Sequence, residues 1–277
     1  MKRMFRSLAA SLALVAGASG ATAAEFKIII EPHYGPERAA EVFAPLEAHL
    51  NKALKPMKHS VTLVYPRNFH FFWRDVRQNA PADFMFAEAH LTDYRAKRFG
   101  YEPFVKTAEK TSYAVLAMDE TAAKGLRGLI GARVVTMPSP SMGFALLAEI
   151  WPDAIRQPNV MSTAQSWRDG VEIVFAGEAE AAIVPSIIKD EYPNLIVMTT
   201  TREFTGPAFS AAAGVDPAVK TAIKDALLNM HEDNDGYAAL NELRISQFVE
   251  ANASEYDGDD KLLESFFGYK PVEGGGQ

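Results

Sequence analysis

The chain of 277 residues carries 35 acidic against 28 basic side chains, a net charge of −7, and contains no cysteine. An acidic balance without a basic block excludes the electrostatic footprint of a nucleic-acid binder or of a protein held on an anionic membrane. Without cysteine there is neither a disulfide framework nor a lipid-bearing thiol, so stability has to come from the core.

Lys2, Arg3 and Arg6 precede an apolar run over 8–16, and Ala21-Thr22-Ala23-Ala24 leads into Glu25. A basic start, a short apolar stretch and small residues before a polar one make a secretory signal peptide over 1–24, cleaved near Ala23 or Ala24. The apolar run is too short to span a bilayer. The expected compartment is therefore the periplasm, and losing three basic residues takes the charge to −10. A mature chain of about 250 residues accommodates two lobes or one large domain. The tail Gly274-Gly275-Gly276-Gln277 reads as a frayed end.

Residues 26–30 are a β-rich run stopped by Pro32 to Pro36, and 37–53 then places Ala40, Val42, Phe43, Leu46 and Leu50 at helical spacing. Residues 61–65 form the next expected strand, 71–78 a helix, and 83–87 a third strand. A strand over 111–118 and turn or helix residues over 119–128 follow. Then comes a second series: a strand at 133–136, the loop Met137 to Gly143, and an apolar helix over 144–150. A further helix closes on Gly177, and a buried strand over 181–183 follows Glu180. Thr205-Gly206-Pro207 breaks the pattern before a strand over 208–213, and Asp216-Pro217 caps and starts an amphipathic helix. The C-terminal region reads as helices and polar loops as far as Tyr269. Strands alternating with helices indicate an α/β protein with mainly parallel sheets.

Motifs of catalysis are missing. There is no cysteine nucleophile, no Gly-x-Ser-x-Gly elbow, no phosphate-cradling glycine loop and no His-Glu-x-x-His, so the expectation is a binding protein, not an enzyme, with no cofactor. Asp257-Gly258-Asp259-Asp260 lacks calcium-loop spacing and reads as a solvated acidic turn.

The stretches around Phe43 to Leu50, Asp83 to Phe86, Gly125 to Val134, Val174 to Ala181 and Thr205-Gly206-Pro207 resemble the phosphate/phosphite/phosphonate-type periplasmic binding proteins of ABC importers. The resemblance implies the two-lobed type II periplasmic-binding-protein fold, each lobe a sheet flanked by helices, joined by a two-strand hinge. It implies one lobe from 25–110 with 202–277 and an inserted lobe over 111–201. A small-molecule ligand, an inner-membrane permease as partner, a monomeric state and hinge closure around ligand also follow from it.

Ligands of open α/β sheets sit at the carboxyl ends of strands, which selects His33, Tyr34, His70 and His90 in the first lobe and the Ser139 to Gly143 loop in the second. Ser139-Pro140 reads as an N-cap followed by proline at the first helical position, with the Ser139 and Ser141 hydroxyls turned toward an anion; equally, Ser139 caps its own helix and nothing more. Tyr34 is where the resembling family sets an aromatic against ligand, Trp167 falls near a pocket position, and Glu180 matches that family's acidic residue after the glycine. Each also has a structural reading: a loop aromatic, a core indole, a charged strand start. An oxyanion or phosphorus-containing solute is the leading expectation. The alternatives are a metal-binding protein using His33, His70, His90 and Glu88, or a sensory or redox-accessory binding module.

Overall fold

A computed structural model describes residues 23–271. The signal segment and the glycine tail fall almost entirely outside the described residues. From the N-terminus, β1 (Glu25–Ile30), α1 (Pro36–Leu54), β2 (Ser60–Val64), α2 (Phe69–Arg77), β3 (Phe84–Ala87), α3 (Ala89–Phe99) and β4 (Glu102–Thr107) build most of the first lobe. The second contains β5 (Tyr113–Ala117), α4 (Asp119–Ala122), β6 (Arg133–Val135), α5 (Met142–Ala145), α6 (Leu147–Ile150), β7 (Asn159–Met161), α7 (Trp167–Phe175), β8 (Ala181–Pro185) and β9 (Ile196–Thr200). The chain then returns through β10 (Ala208–Ala211), α8 (Pro217–Leu228), α9 (Asn234–Leu243) and β11 (Phe248–Glu250).

Two sheets result, a six-stranded one in the order β11-β4-β10-β3-β1-β2 and a five-stranded one in the order β7-β6-β8-β5-β9. Both are mixed, where the sequence suggested mainly parallel pairing. β1 pairs parallel with β2 and β3, but β10 runs antiparallel to β3 and β4 because the chain re-enters the first lobe from the other side. In the second sheet β5 is likewise antiparallel to β8 and β9, while β6 is parallel to β7 and β8.

Local signals explain the elements that frame the space between the lobes. α1 begins with Gly35 and Pro36 and buries Ala39, Val42, Phe43, Leu46, Leu50 and Leu54 on one stripe. Asn68 caps α2 by accepting from Phe71 N at 3.1 Å, and Ser166 caps α7 by accepting from Asp169 N at 3.1 Å. Gly177, at φ 71°, takes the left-handed turn that ends the α7 region, as expected from sequence. The helix expected over 144–150 is instead two four-residue pieces, α5 and α6. α3 and β4 have no counterpart in the sequence reading. α3 buries His90, Thr92, Asp93 and Arg95, and this polar content hides its apolar stripe.

Two crossovers join the sheets and are stitched by Thr111 and Phe204, which exchange backbone hydrogen bonds of 3.0 and 2.8 Å. A side chain at Gly206 would collide with Thr107 Oγ1 and the Glu109 carbonyl, so glycine in the Thr205-Gly206-Pro207 motif permits the two crossovers to touch. The acidic turn expected to be solvated is not: Asp259 and Asp260 are buried. Asp260 pairs with Lys97 at 2.9 Å and Asp259 with Arg202 at 2.8 Å, which ties the C-terminal segment onto α3 and the return crossover.

Candidate functional site

Strands β1 and β3 are parallel neighbours inside the first sheet, and the residues just past their carboxyl ends meet under the second lobe. Glu31 follows β1 and Glu88 follows β3; they retain 3% and 4% exposure. The two are fixed by hydrogen bonds that each use one carboxylate oxygen. Glu31 Oε2 accepts from the backbone N–H of Glu88 at 2.7 Å, and Glu88 Oε1 accepts from the hydroxyl of Tyr113, the first residue of β5 in the other lobe. The remaining oxygens, Glu31 Oε1 and Glu88 Oε2, are buried and have no hydrogen-bond partner among the described residues.

His33 stands between them. Its Nε2 lies 3.4 Å from Glu31 Oε1 and 3.7 Å from Glu88 Oε2, and is itself buried, although 24% of the side chain is exposed at the pocket edge. Burial works against the imidazolium, but the two carboxylates outweigh it and raise His33 well above its ordinary value of 6.5. Glu88 shows the reciprocal balance. Burial pushes its carboxyl up, while His33 and the Tyr113 hydroxyl bring it below the usual carboxylate value. Tyr113 is held far above 10 by burial and by Glu88, so it remains an O–H donor.

The second lobe covers this floor with aromatic surface. Trp167, at the start of α7, packs its ring edge-to-face against Tyr113 at 5.5 Å and lies 5.7 Å from the His33 ring. Gly143 makes this packing possible, because a side chain there would strike Thr136 Oγ1 and the Trp167 ring.

Beside the floor, Tyr34 lines neighbouring openings between the lobes. One of about 240 Å³ is bordered by His33, Lys110, Ser112, Ser186 and Arg244. The second, of about 520 Å³, is bordered by Gly35, Glu37, Arg67, Asn68, Pro138 and Gln165, and a third, of about 570 Å³, by Arg38, Ser166, Arg168 and Asp169. The second receives the starts of α1 and α2, whose first-turn N–H groups and dipoles favour negative charge. Arg67 at its edge has no ion-pair partner among the described residues.

The residues singled out from sequence scatter accordingly. His33, Tyr34 and Trp167 stand between the lobes. His70 is exposed on α2 with its ring edge-to-face against Phe71, so the set His33, His70, His90 and Glu88 does not assemble; Glu31 takes the place of the other two histidines. His90, fully buried, donates from Nε2 to the Pro140 carbonyl at 2.7 Å and joins the lobes by that bond. Ser139 does not cap. The cap is Ser141, whose hydroxyl donates to the Met137 carbonyl at 2.9 Å and accepts from Phe144 N at 3.3 Å, leaving nothing for an anion. α5 is too short to present a dipole of any size. Glu180 pairs with Arg133 at 3.1 Å and caps the Arg133 N–H at 2.7 Å, at the end of the sheet opposite the Pro185 edge that lines the 240 Å³ opening. Glu31 was missed, and its signal was a charged residue directly after the apolar run Ile28-Ile29-Ile30 at a strand's carboxyl end.

Two mixed sheets joined by paired crossovers, with a polar floor between them, define a two-lobed solute-binding protein, and comparison with known proteins agrees. The family model described as "ABC transporter, phosphonate, periplasmic substrate-binding protein" matches residues 28–256, and the chain belongs to that family. Among curated proteins, no sequence matches. Several solved structures share the fold. PhnD1 from Prochlorococcus marinus, in complex with methylphosphonate, is 13% identical with a TM-score of 0.73, covering 86% of this chain and 97% of its own. A binding protein component of an ABC phosphonate transporter from Pseudomonas aeruginosa is 11% identical with a TM-score of 0.69, covering 84% and 83%. A Xanthomonas citri protein bound to ATP is 12% identical with a TM-score of 0.68, covering 86% and 95%. The family is periplasmic and non-enzymatic. Among the described residues no helix is long and apolar enough to cross a membrane.

Proposed function

We propose that the protein captures a small oxyanionic solute, with phosphorus-containing compounds the leading class, between its lobes and delivers it to an inner-membrane ABC permease. The observation that carries this reading is the 520 Å³ opening, where Arg67 and the starts of α1 and α2 face a space sized for a small solute. Glu37 shares that lining, so the favoured ligand is small and holds its negative charge toward Arg67. The working unit on this reading is a monomer of two lobes, 25–110 with 202–277 and 111–201, closing about the crossovers at 108–112 and 201–207 after the signal segment is removed. Tyr34, which lines the openings, and the His33 edge would complete the wall on closure.

The test is a thermal-shift and calorimetric screen of methylphosphonate, phosphate, phosphite and sulfate on chelator-treated protein. A ligand bound by the folded state alone raises the midpoint, by a stabilisation that grows as the logarithm of one plus the ratio of free ligand concentration to Kd. At least one oxyanion should do so, and Arg67→Ala should weaken it by about tenfold or more, as expected for a charged hydrogen-bond partner. A flat screen removes the oxyanion assignment and leaves the fold untouched, and an unchanged response in Arg67→Ala removes the 520 Å³ opening as the place where the oxyanion binds.

A further inference from the structure

We propose that Glu31, His33 and Glu88 form a binding site for a divalent transition-metal ion of the zinc class, independent of the oxyanion opening. All three come from just past the carboxyl ends of two adjacent, paired strands, so the backbone that carries them is anchored by the sheet. Their free donor atoms, Glu31 Oε1, His33 Nε2 and Glu88 Oε2, lie within 4.8 Å of one another, and all three are buried without a hydrogen-bond partner.

The spacing suits a metal better than it suits hydrogen bonds. Charge-assisted N–H···O bonds are about 2.7–2.9 Å long, whereas His33 Nε2 stands 3.4 and 3.7 Å from the two oxygens. Ligands at about 2.0–2.2 Å from a tetrahedral ion are about 3.3–3.6 Å apart, close to the separations found. One N–H also points at a single acceptor at a time, while an ion serves three donors together.

Both carboxylates are held as a metal site's outer shell holds its ligands, each by a second bond. The Glu88 N–H holds Glu31, and the Tyr113 hydroxyl holds Glu88, in each case through the oxygen that does not face the cluster. Two carboxylates balance a dication. Mixed imidazole and carboxylate donors suit zinc, manganese or iron better than the softer ions that prefer sulfur. Trp167 and Tyr113 shield the floor, and His33 borders the 240 Å³ opening, which supplies an entry path.

Chelator-treated full-length protein titrated with Zn²⁺ and with Mn²⁺ at pH 7.5 should bind one equivalent of at least one of them and show a raised unfolding midpoint. Glu31→Gln and Glu88→Gln should each weaken binding about 100-fold or more, since each removes a charged ligand, and His70→Ala should leave it unchanged. Should either glutamine variant fail to fold, His33→Ala, checked by near-UV circular dichroism, supplies the same loss. Absence of saturable binding in the wild type overturns the site, as does binding that survives these substitutions or is removed by His70→Ala. Because the oxyanion screen uses metal-free protein and Arg67→Ala, either proposal can fail without the other.

Discussion

Lys97 and His33 each stand between carboxylates of the first lobe, and the two clusters are built to different ends. Lys97 Nζ bonds Asp93 at 2.8 Å and Asp260 at 2.9 Å. Asp93 Oδ2 also accepts from the N–H groups of Gly258 and Asp260 at 2.9 and 3.0 Å, and Asp260 Oδ2 accepts from the Tyr269 hydroxyl at 2.9 Å. That cluster is closed, with donors aimed at each carboxylate. Around His33 two carboxylate oxygens and the imidazole nitrogen face one another with no bond of hydrogen-bonding length. Buried polar groups are normally satisfied, so buried acidity with donors supplied reads as a structural clamp, and buried acidity left open reads as a place for something to bind.

Breaking the clamp gives the largest expected effect. Lys97→Met leaves Asp93 and Asp260 facing each other without their cation. Removing one partner of a fully buried pair costs about 3–5 kcal/mol, and because the Lys97 side chain keeps 30% exposure the loss should be nearer 2–3 kcal/mol by urea unfolding at pH 7. The pH dependence gives a second readout. Burial raises both carboxyls of this pair and takes Asp93 to about 6, whereas at Asp260 the Lys97, Asp93 and Tyr269 contacts outweigh it and hold Asp260 below its ordinary 3.8. Its contribution to stability is thus present above pH 3.8 and lost as pH falls through the lower native value. The variant should show a shallower acid limb, and an identical limb would mean that Lys97 does not hold Asp260.

At the open cluster, Tyr113→Phe removes the donor that fixes Glu88 without touching any ligand atom of the proposed metal site. A hydrogen bond to a charged group contributes about 1.5–3 kcal/mol, so the loss should be about 2 kcal/mol in metal-free protein. Saturating Zn²⁺ or Mn²⁺ should recover part of it, because an ion on Glu88 compensates a buried carboxylate that has lost its donor. No recovery with either ion would count against the open cluster as a metal site.

The same contrast explains what could be read from sequence. The two-lobed fold was legible because its local signals agree: apolar runs bounded by proline and glycine, the α1 stripe, and Gly177 at a left-handed turn. α3 and β4 were not, since α3 turns His90, Asp93 and Arg95 inward, against the usual polar-out pattern. Of the residues selected by the strand-end rule and by resemblance, His33, Tyr34 and Trp167 stand between the lobes. Glu31 escaped because a lone acidic residue after an apolar run looks like an ordinary strand end until the fold shows that nothing satisfies it. A hydroxyl or carboxylate in sequence does not reveal whether backbone or arginine already engages it, and the structure engages Ser141 with Met137 and Phe144 and Glu180 with Arg133.

Ser141→Ala separates those two meanings at the second lobe. The hydroxyl is fully buried, donating to the Met137 carbonyl and accepting from Phe144 N, so it closes the turn from β6 into α5 and has no remaining hydrogen to offer a solute. Alanine leaves that carbonyl and that N–H without their partner in a site sealed from water. Loss of an N-cap typically costs about 1 kcal/mol, which sets the expected drop in unfolding free energy. The affinity for whichever oxyanion proves to stabilise the protein should stay within about twofold, a change of about 0.4 kcal/mol at most, because the helix start it caps is four residues long and faces inward. A drop of tenfold or more in oxyanion affinity with stability unchanged would restore the serine loop as the anion's contact and move the binding site from the first lobe's helix starts to the second lobe's wall.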